Sequence, residues 1–270
     1  MTELVLGAVA YSPNVVPIWE GMRDYFRDAD VTMDFVLFSN YERQVDALLA
    51  GHVDIAWNTN VAYVRAFHRT GGTCRALAMR DTDLTFQTFL VGRAGSGLSG
   101  LADLRGHKVA LGSRDSAQAR ILPVHYLREA GLGADDVELS LFDSDVGKHG
   151  DTGTSELDAL RAVLDDQADV AALGITTWAT LQAGELAPGA LEVVWSSPAY
   201  CHCNFTALDT LDAGVAETWV RHLLAMDWEN PAHRPILELE GLRRWVRPEL
   251  DGYASLFDAM GSQDLTAPTG

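Results

Sequence analysis

Lys108-Val109-Ala110-Leu111-Gly112-Ser113-Arg114-Asp115-Ser116-Ala117-Gln118-Ala119 reads as a short apolar strand, a turn of small residues and the start of a helix that continues from Arg120 to Ala130. The first turn of a helix carries N–H groups without internal partners and the positive end of the helix dipole, so nearby serine hydroxyls complete a site suited to an anion. A small anionic or polar ligand is therefore expected at Ser113, Ser116 and Gln118.

The same alternation extends in both directions. Upstream, strands are predicted over 3–10, 32–38, 54–57, 75–79 and 86–92, with helices over 14–26, 41–50 and 60–68. Gly51 and Gly71-Gly72 end helical patterns, and Gly95-Ser96-Gly97-Leu98-Ser99-Gly100 is a turn-rich break. The pattern then restarts: a short helix over 101–104, strands over 107–111, 137–142, 170–174 and 191–196, and helices over 116–130, 155–165 and 176–183. Helices over 212–225, 231–237 and 253–260 and a polar tail from Gly261 complete the chain. This order predicts an α/β protein of two lobes joined by two crossings. The first lobe comprises residues 1–90 plus 197–270, the second 91–196, with a ligand cleft at the carboxyl ends of the strands. One continuous doubly wound sheet is the alternative.

Composition narrows the function. With 270 residues, 47% apolar and 21% charged, the chain can bury a full core. A net charge of −18 excludes nucleic acid and an anionic membrane as partners, since both require a basic face. No apolar run is long enough for a membrane span, so no membrane insertion is expected. Three cysteines, two of them in Cys201-His202-Cys203, do not make a secreted disulfide framework. The opening Met1-Thr2-Glu3-Leu4-Val5-Leu6 lacks a basic segment followed by an apolar one, which predicts a cytoplasmic location if this is the native start; a monomer is expected. Removal of a leader would instead make it periplasmic or extracellular.

Four segments resemble the phosphonate/sulfonate-type substrate-binding proteins of ABC transporters, which have the type II periplasmic-binding fold. Asp54-Ile55-Ala56-Trp57-Asn58-Thr59-Asn60-Val61-Ala62-Tyr63 is similar to the family's Asp-φ-Ala stretch, φ being apolar, that ends in Ala-Tyr. Leu101-Ala102-Asp103-Leu104-Arg105-Gly106-His107-Lys108-Val109-Ala110 is similar to the segment that begins its second lobe. The serine turn and Gly147-Lys148-His149-Gly150 are similar to its two ligand loops. The resemblance implies a protein that closes two lobes on a small anionic or zwitterionic ligand (phosphonate, sulfonate or carboxylate-like), with His149 and Lys148 bonding it, and an ABC permease as partner if the chain is exported.

One departure matters. Family members that bind phosphonate tend to carry consecutive Ser/Thr at this helix start, where this chain has Asp115. Two like charges about 4 Å apart repel by roughly 4 kcal/mol at an effective dielectric of about 20. Either Asp115 is a helix cap turned away, or the ligand is not a dianion.

On the first-lobe side Tyr11, Trp57, Asn58, Thr59, Tyr63 and Tyr200 are candidates for ligand contact, with core packing the alternative for Trp19 and Trp57. A second reading is a cytosolic enzyme on the same fold, as in menaquinone-pathway enzymes, a desulfinase and the cysteine-rich thiamin-pyrimidine synthase. Its catalytic candidates are His149, Cys201, His202 and Cys203. A transition metal, iron or zinc, is expected only under that reading, held by His149, Cys201 and Cys203; otherwise no cofactor is expected. If 201–203 is extended, Cys201 and Cys203 face one side and His202 the other. Glu238 and Glu240 read as solvated.

Overall fold

The computed structural model describes residues 2–184 and 189–267. The last three residues of the expected polar tail lie outside them. In chain order the elements are β1 (Thr2–Val9), α1 (Val15–Tyr25), β2 (Val31–Phe38), α2 (Tyr41–Leu49), β3 (Ile55–Asn58), α3 (Asn60–Arg69) and β4 (Cys74–Arg80). Then follow β5 (Thr88–Arg93), β6 (Lys108–Leu111), α4 (Leu122–Glu129), β7 (Glu138–Leu141), α5 (Thr154–Leu164), β8 (Val170–Gly174), α6 (Ile175–Ala183) and β9 (Leu191–Ser196). The chain closes with β10 (Asn204–Leu208), α7 (Ala213–Leu224), α8 (Arg234–Leu239), β11 (Trp245–Val246) and α9 (Ala254–Ser262). None of the described helices is long and apolar enough to cross a membrane.

Two units form, each around its own sheet: residues 2–85, 200–257 and 261–267, and residues 86–199 with 258–260. Two sheets replace the alternative of one continuous sheet. The first has the order β2-β1-β3-β10-β4-β11 and the second β7-β6-β8-β5-β9. Over five strands the two follow one plan. Three strands run parallel (β2, β1, β3 and β7, β6, β8), and the fourth, β10 or β5, is antiparallel to both its neighbours. Each fourth strand is the first strand after a crossing, so each unit's sheet is completed by chain arriving from the other. This is the type II periplasmic-binding fold.

The crossings fall at 85/86 and 199/200, where the sequence placed them at 90/91 and 196/197. β5 pairs with β8 and β9 along its length, which carries residues 88–90 into the second sheet. β10 and β11 went unread in the sequence. β10 is buried on both faces and lacks the alternation that marks a half-exposed strand. β11 is two residues paired to the edge of β4, a contact no local pattern encodes. The helix expected over 116–130 begins differently: Ala117–Ile121 winds as one π turn, with Ile121 N donating to Ser116 O at 3.0 Å, before α4 starts at Leu122. Such turns widen the backbone and recur at functional sites.

In the first unit the core centres on Phe205, whose ring meets Trp57 at 4.5 Å, Trp219 at 5.0 Å, Trp245 at 5.2 Å and Trp19 at 6.2 Å between centroids. Trp19 and Trp57 are thereby core residues. Three helix starts in this unit, those of α2, α3 and α7, are capped locally: Asn40 accepts from Arg43 N, Thr59 from Ala62 N and Asp212 from Val215 N. Phe205→Ala leaves a cavity among four tryptophans and is expected to lower stability by about 3–5 kcal/mol in urea denaturation, with a blue-to-red shift of tryptophan emission in the native baseline.

Candidate functional site

In the second unit the turn after β6 is closed from above by the segment 143–153. Ser113 N donates to Ser155 Oγ at 3.1 Å, and Ser113 Oγ donates to Asp145. Thr152 Oγ1 takes the other Asp145 oxygen at 2.7 Å. Ser116 is the cap of the π turn, its hydroxyl accepting from Ala119 N at 3.2 Å. Asp115 is therefore not the cap that the sequence allowed it to be. Its Oδ2 accepts from Gly147 N at 2.5 Å and lies 3.8 Å from His149 Nε2, joining the two loops.

Two glycines make this closure possible. Gly147 and Gly150 both hold φ of +89°, a region that side chains strain to enter, and a Cβ on Gly150 would meet Gln118 Nε2 and lie 2.5 Å from Ser116 Oγ. The loop backbone thus rests directly on the helix start. His149 itself holds a positive φ of +55° and is buried, while Lys148 is half-buried. Burial holds the Lys148 ammonium below its ordinary pKa, with Asp151 opposing.

Beneath the turn lies a buried carboxylate that sequence reasoning missed. Glu156 accepts from Gln118 Nε2 at 3.1 Å and from Gly174 N at 2.9 Å. Burial pushes its carboxyl up, only partly countered by Thr177, Gly174 and Gln118. The signal was present: Glu156 shares a helical face with the buried Ala159, Leu160 and Val163. Asp145, equally buried, gave no such signal because it sits in a loop.

In the first unit, Asn58 ends β3 opposite Asn204 of β10. Its Oδ1 accepts from Gln44 Nε2 at 2.7 Å, its Nδ2 has no protein acceptor, and it is fully buried. Asn204 donates to Tyr253 Oη at 2.9 Å and accepts from Thr206 Oγ1 at 2.7 Å. Thr59 caps α3; Tyr63 packs on Tyr253 at 4.9 Å between centroids, Tyr200 is buried and Tyr11 half-buried.

The Cys-His-Cys segment does not behave as an extended strand. Cys203 Sγ lies 3.0 Å from His202 Nδ1, so neighbours meet rather than face apart, whereas Cys201 turns to Glu249 O at 3.3 Å in a different part of the core. The regular strand begins only at Asn204, which removes the alternation that would have paired Cys201 with Cys203. Among the described residues the group with converging ligand atoms is Asp83, His202 and Cys203, all buried, with those atoms within 4.8 Å of one another. His149 belongs to the second unit and is not part of it. Arg80 occupies both Asp83 oxygens, Nε at 2.6 Å and Nη2 at 2.9 Å, and reaches Glu240 Oε2 at 3.4 Å. Glu240 is thus a buried ion partner, not a solvated one. Arg80 also lies over the Trp57 ring at 5.3 Å. The Arg80–Asp83 pair anchors β4 to the chain that leads into β10.

Residues 8–253 match the model of a family described as the phosphonate ABC transporter periplasmic substrate-binding protein. The chain belongs to this family. It is a solute-binding protein, with a small-molecule ligand and an ABC permease as partners. Over 246 residues it is 24% identical to a probable ABC transporter phosphite-binding protein, PhnD1, of Prochlorococcus marinus, covering 87% of this chain and 80% of that one. The structure of PhnD1 with methylphosphonate superposes with a TM-score of 0.75 at 20% identity over 98% of this chain and 99% of that one. XAC2383 of Xanthomonas citri, bound to ATP, gives 0.77 at 19% over 99% and 100%; the periplasmic aliphatic sulphonate-binding protein SsuA of Escherichia coli gives 0.66 at 16% over 99% and 94%. The enzyme reading finds no support in this family or these relatives.

Two substitutions probe the two halves. Burial tends to raise the Asp83 carboxyl, but Arg80 and His202 outweigh it and hold it down to about 2. Its ionised form therefore adds stability that is present above the unfolded value near 3.9 and lost as pH falls towards about 2. Asp83→Asn should cost about 3 kcal/mol at neutral pH and flatten the fall in stability over that acid range, as followed by urea titration. Gly150→Ala should cost about 1–3 kcal/mol through backbone strain and the displaced loop, and should raise amide exchange over 145–153.

Proposed function

We propose that the protein captures a small phosphorus or sulfur oxoanion and presents it to its permease, holding the solute at the serine turn of the second unit. The observation that carries this reading is the turn itself. Ser113, Ser116 and Gln118 are buried at a helix start whose first turn is opened into a π turn, and the loop bearing Lys148 and His149 rests on it. Backbone N–H groups of the turn and the Ser116 hydroxyl favour oxygen-rich anions, and Lys148 of the covering loop supplies positive charge that an overall net charge of −18 does not. The family supports the class of solute, as do a relative named for phosphite and a neighbour holding methylphosphonate.

The reading places the working protein outside the cytoplasmic membrane, where the permease receives solute, and as a monomer. Phosphite, methylphosphonate, phosphate, methanesulfonate and sulfate, each added singly to the purified chain, test it by thermal unfolding. At about 100 times its dissociation constant a true solute stabilises by about 2.7 kcal/mol, a rise of several degrees in Tm. A panel without any shift, together with no heat on calorimetric titration, removes the reading.

A further inference from the structure

Three buried carboxylates surround the serine turn, and their oxygens are not equally engaged. Both oxygens of Asp145 are bonded, by Ser113 Oγ and Thr152 Oγ1. Both oxygens of Glu156 are bonded, by Gln118 Nε2 and Gly174 N. Asp115 differs. Its Oδ2 is held by Gly147 N, but Oδ1 has no protein hydrogen-bond partner although the residue is only 1% exposed. Gln118 Oε1, on the same turn and 3% exposed, also lacks one. Both orphaned atoms are acceptors. Buried acceptors are rarely left unsatisfied in native proteins, and what would satisfy these is a donor.

Resting on the oxoanion reading above, we propose that Asp115 selects the solute by its proton: the site accepts ligands that present a hydrogen-bond donor to Oδ1, either an acidic P–OH or an ammonium group, and rejects fully deprotonated or never-protonated oxoanions. The chemistry is one of complementarity. A monoanionic phosphonate or phosphite places its remaining O–H on the carboxylate and its charged oxygens on N–H groups of the turn and the Ser116 hydroxyl. A dianion, a sulfonate or sulfate has only acceptors to offer, and it meets Asp115 with repulsion and an unmade bond. Asp115 is fixed for this role because Gly147 N pins its other oxygen and Ser116, not Asp115, caps the helix start.

The titratable and charged groups on the elements around Asp115 are His149, Lys148 and Asp145 on the covering segment, Arg114 and Asp143 beside the turn, and Glu156 on α5. A pH dependence arising from any of these would act on every ligand alike. One arising from the ligand's own proton would not, and the probes are chosen on that difference.

Calorimetric titration of the full chain with methylphosphonate, methanesulfonate and taurine, each at about pH 5.5 and about pH 8.5, makes the test. Methylphosphonate loses its second proton across this interval, methanesulfonate has none, and taurine carries an ammonium throughout. The expected result is that methylphosphonate binds about ten- to a hundredfold more tightly at the lower pH, and more tightly than methanesulfonate by a similar factor there. Taurine distinguishes the source of the donor. Binding tighter than methanesulfonate and level with pH assigns it to an ammonium; binding as weak as methanesulfonate assigns it to P–OH. Asp115→Asn should bring methylphosphonate and methanesulfonate to within about threefold of each other and abolish the extra pH dependence. Asp115→Ser, which restores a hydroxyl, should do the same and serves if the asparagine variant fails to fold. Equal binding of methylphosphonate and methanesulfonate by the unaltered chain at both pH values overturns the inference while leaving the oxoanion reading intact. If none of the probes binds the unaltered chain, the oxoanion reading falls and the inference with it.

Discussion

β10 is the strand on which the first unit depends. It is hydrogen-bonded on both edges, to β3 and to β4, and buried on both faces, so a slip in its register would take Phe205 out of its aromatic cluster. That constraint fixes the four tryptophans around Phe205 and sets Asn204 opposite Asn58 at the sheet's end. It also fixes where the chain just before it must lie. His202 and Cys203 are brought against Asp83, whose carboxylate is locked by Arg80, so the crossing back into the first unit is anchored by a compensated buried ion pair. β5 has the same role in the second sheet, where Thr88 stands opposite Gly174 and its hydroxyl holds the carbonyl of Gln118.

The second unit solves a different problem, that of burying a cluster of polar groups. A serine turn, three carboxylates, an amide side chain and two bases are packed where most residues are buried. Hydrogen bonding settles nearly all of them: Asp145 with two hydroxyls, Glu156 with an amide and a backbone N–H, Ser116 with its own helix. Loop glycines at positive φ allow the covering backbone to approach closely enough for this. The balance of hydrogen-bonding groups leans to acceptors, with Asp115 Oδ1 and Gln118 Oε1 left without protein donors.

Much of this was legible in the sequence. The strand–turn–helix at 108–130, the restart after Gly100 and the strands at 170–174 and 191–196 follow from periodicity and glycine placement, because half-buried helices and apolar strands carry their environment in their spacing. The serine turn and the Lys148-His149 loop stand out for the same reason, being polar residues at element ends. The buried Glu156 was readable from its helical face and was passed over because a glutamate in a first turn is ordinarily solvated. β10, β11, Arg80 with Asp83, and the buried state of Glu240 were not readable, since each depends on a partner far away along the chain.

The sequence by itself determined the α/β class, the two-part order and the position of the serine turn, since propensity, capping and hydrophobic period act within a few residues. Only the tertiary structure decided what Asp115 does. From sequence it read as a helix cap, the commoner role, or as a charge facing a ligand. The choice fell to Gly147, thirty-two positions away, whose N–H holds one carboxylate oxygen while Ser116 takes the cap, leaving the other oxygen buried without a protein donor. Long-range hydrogen bonding of this kind has no local signature, because the partner is selected by the fold and not by spacing along the chain.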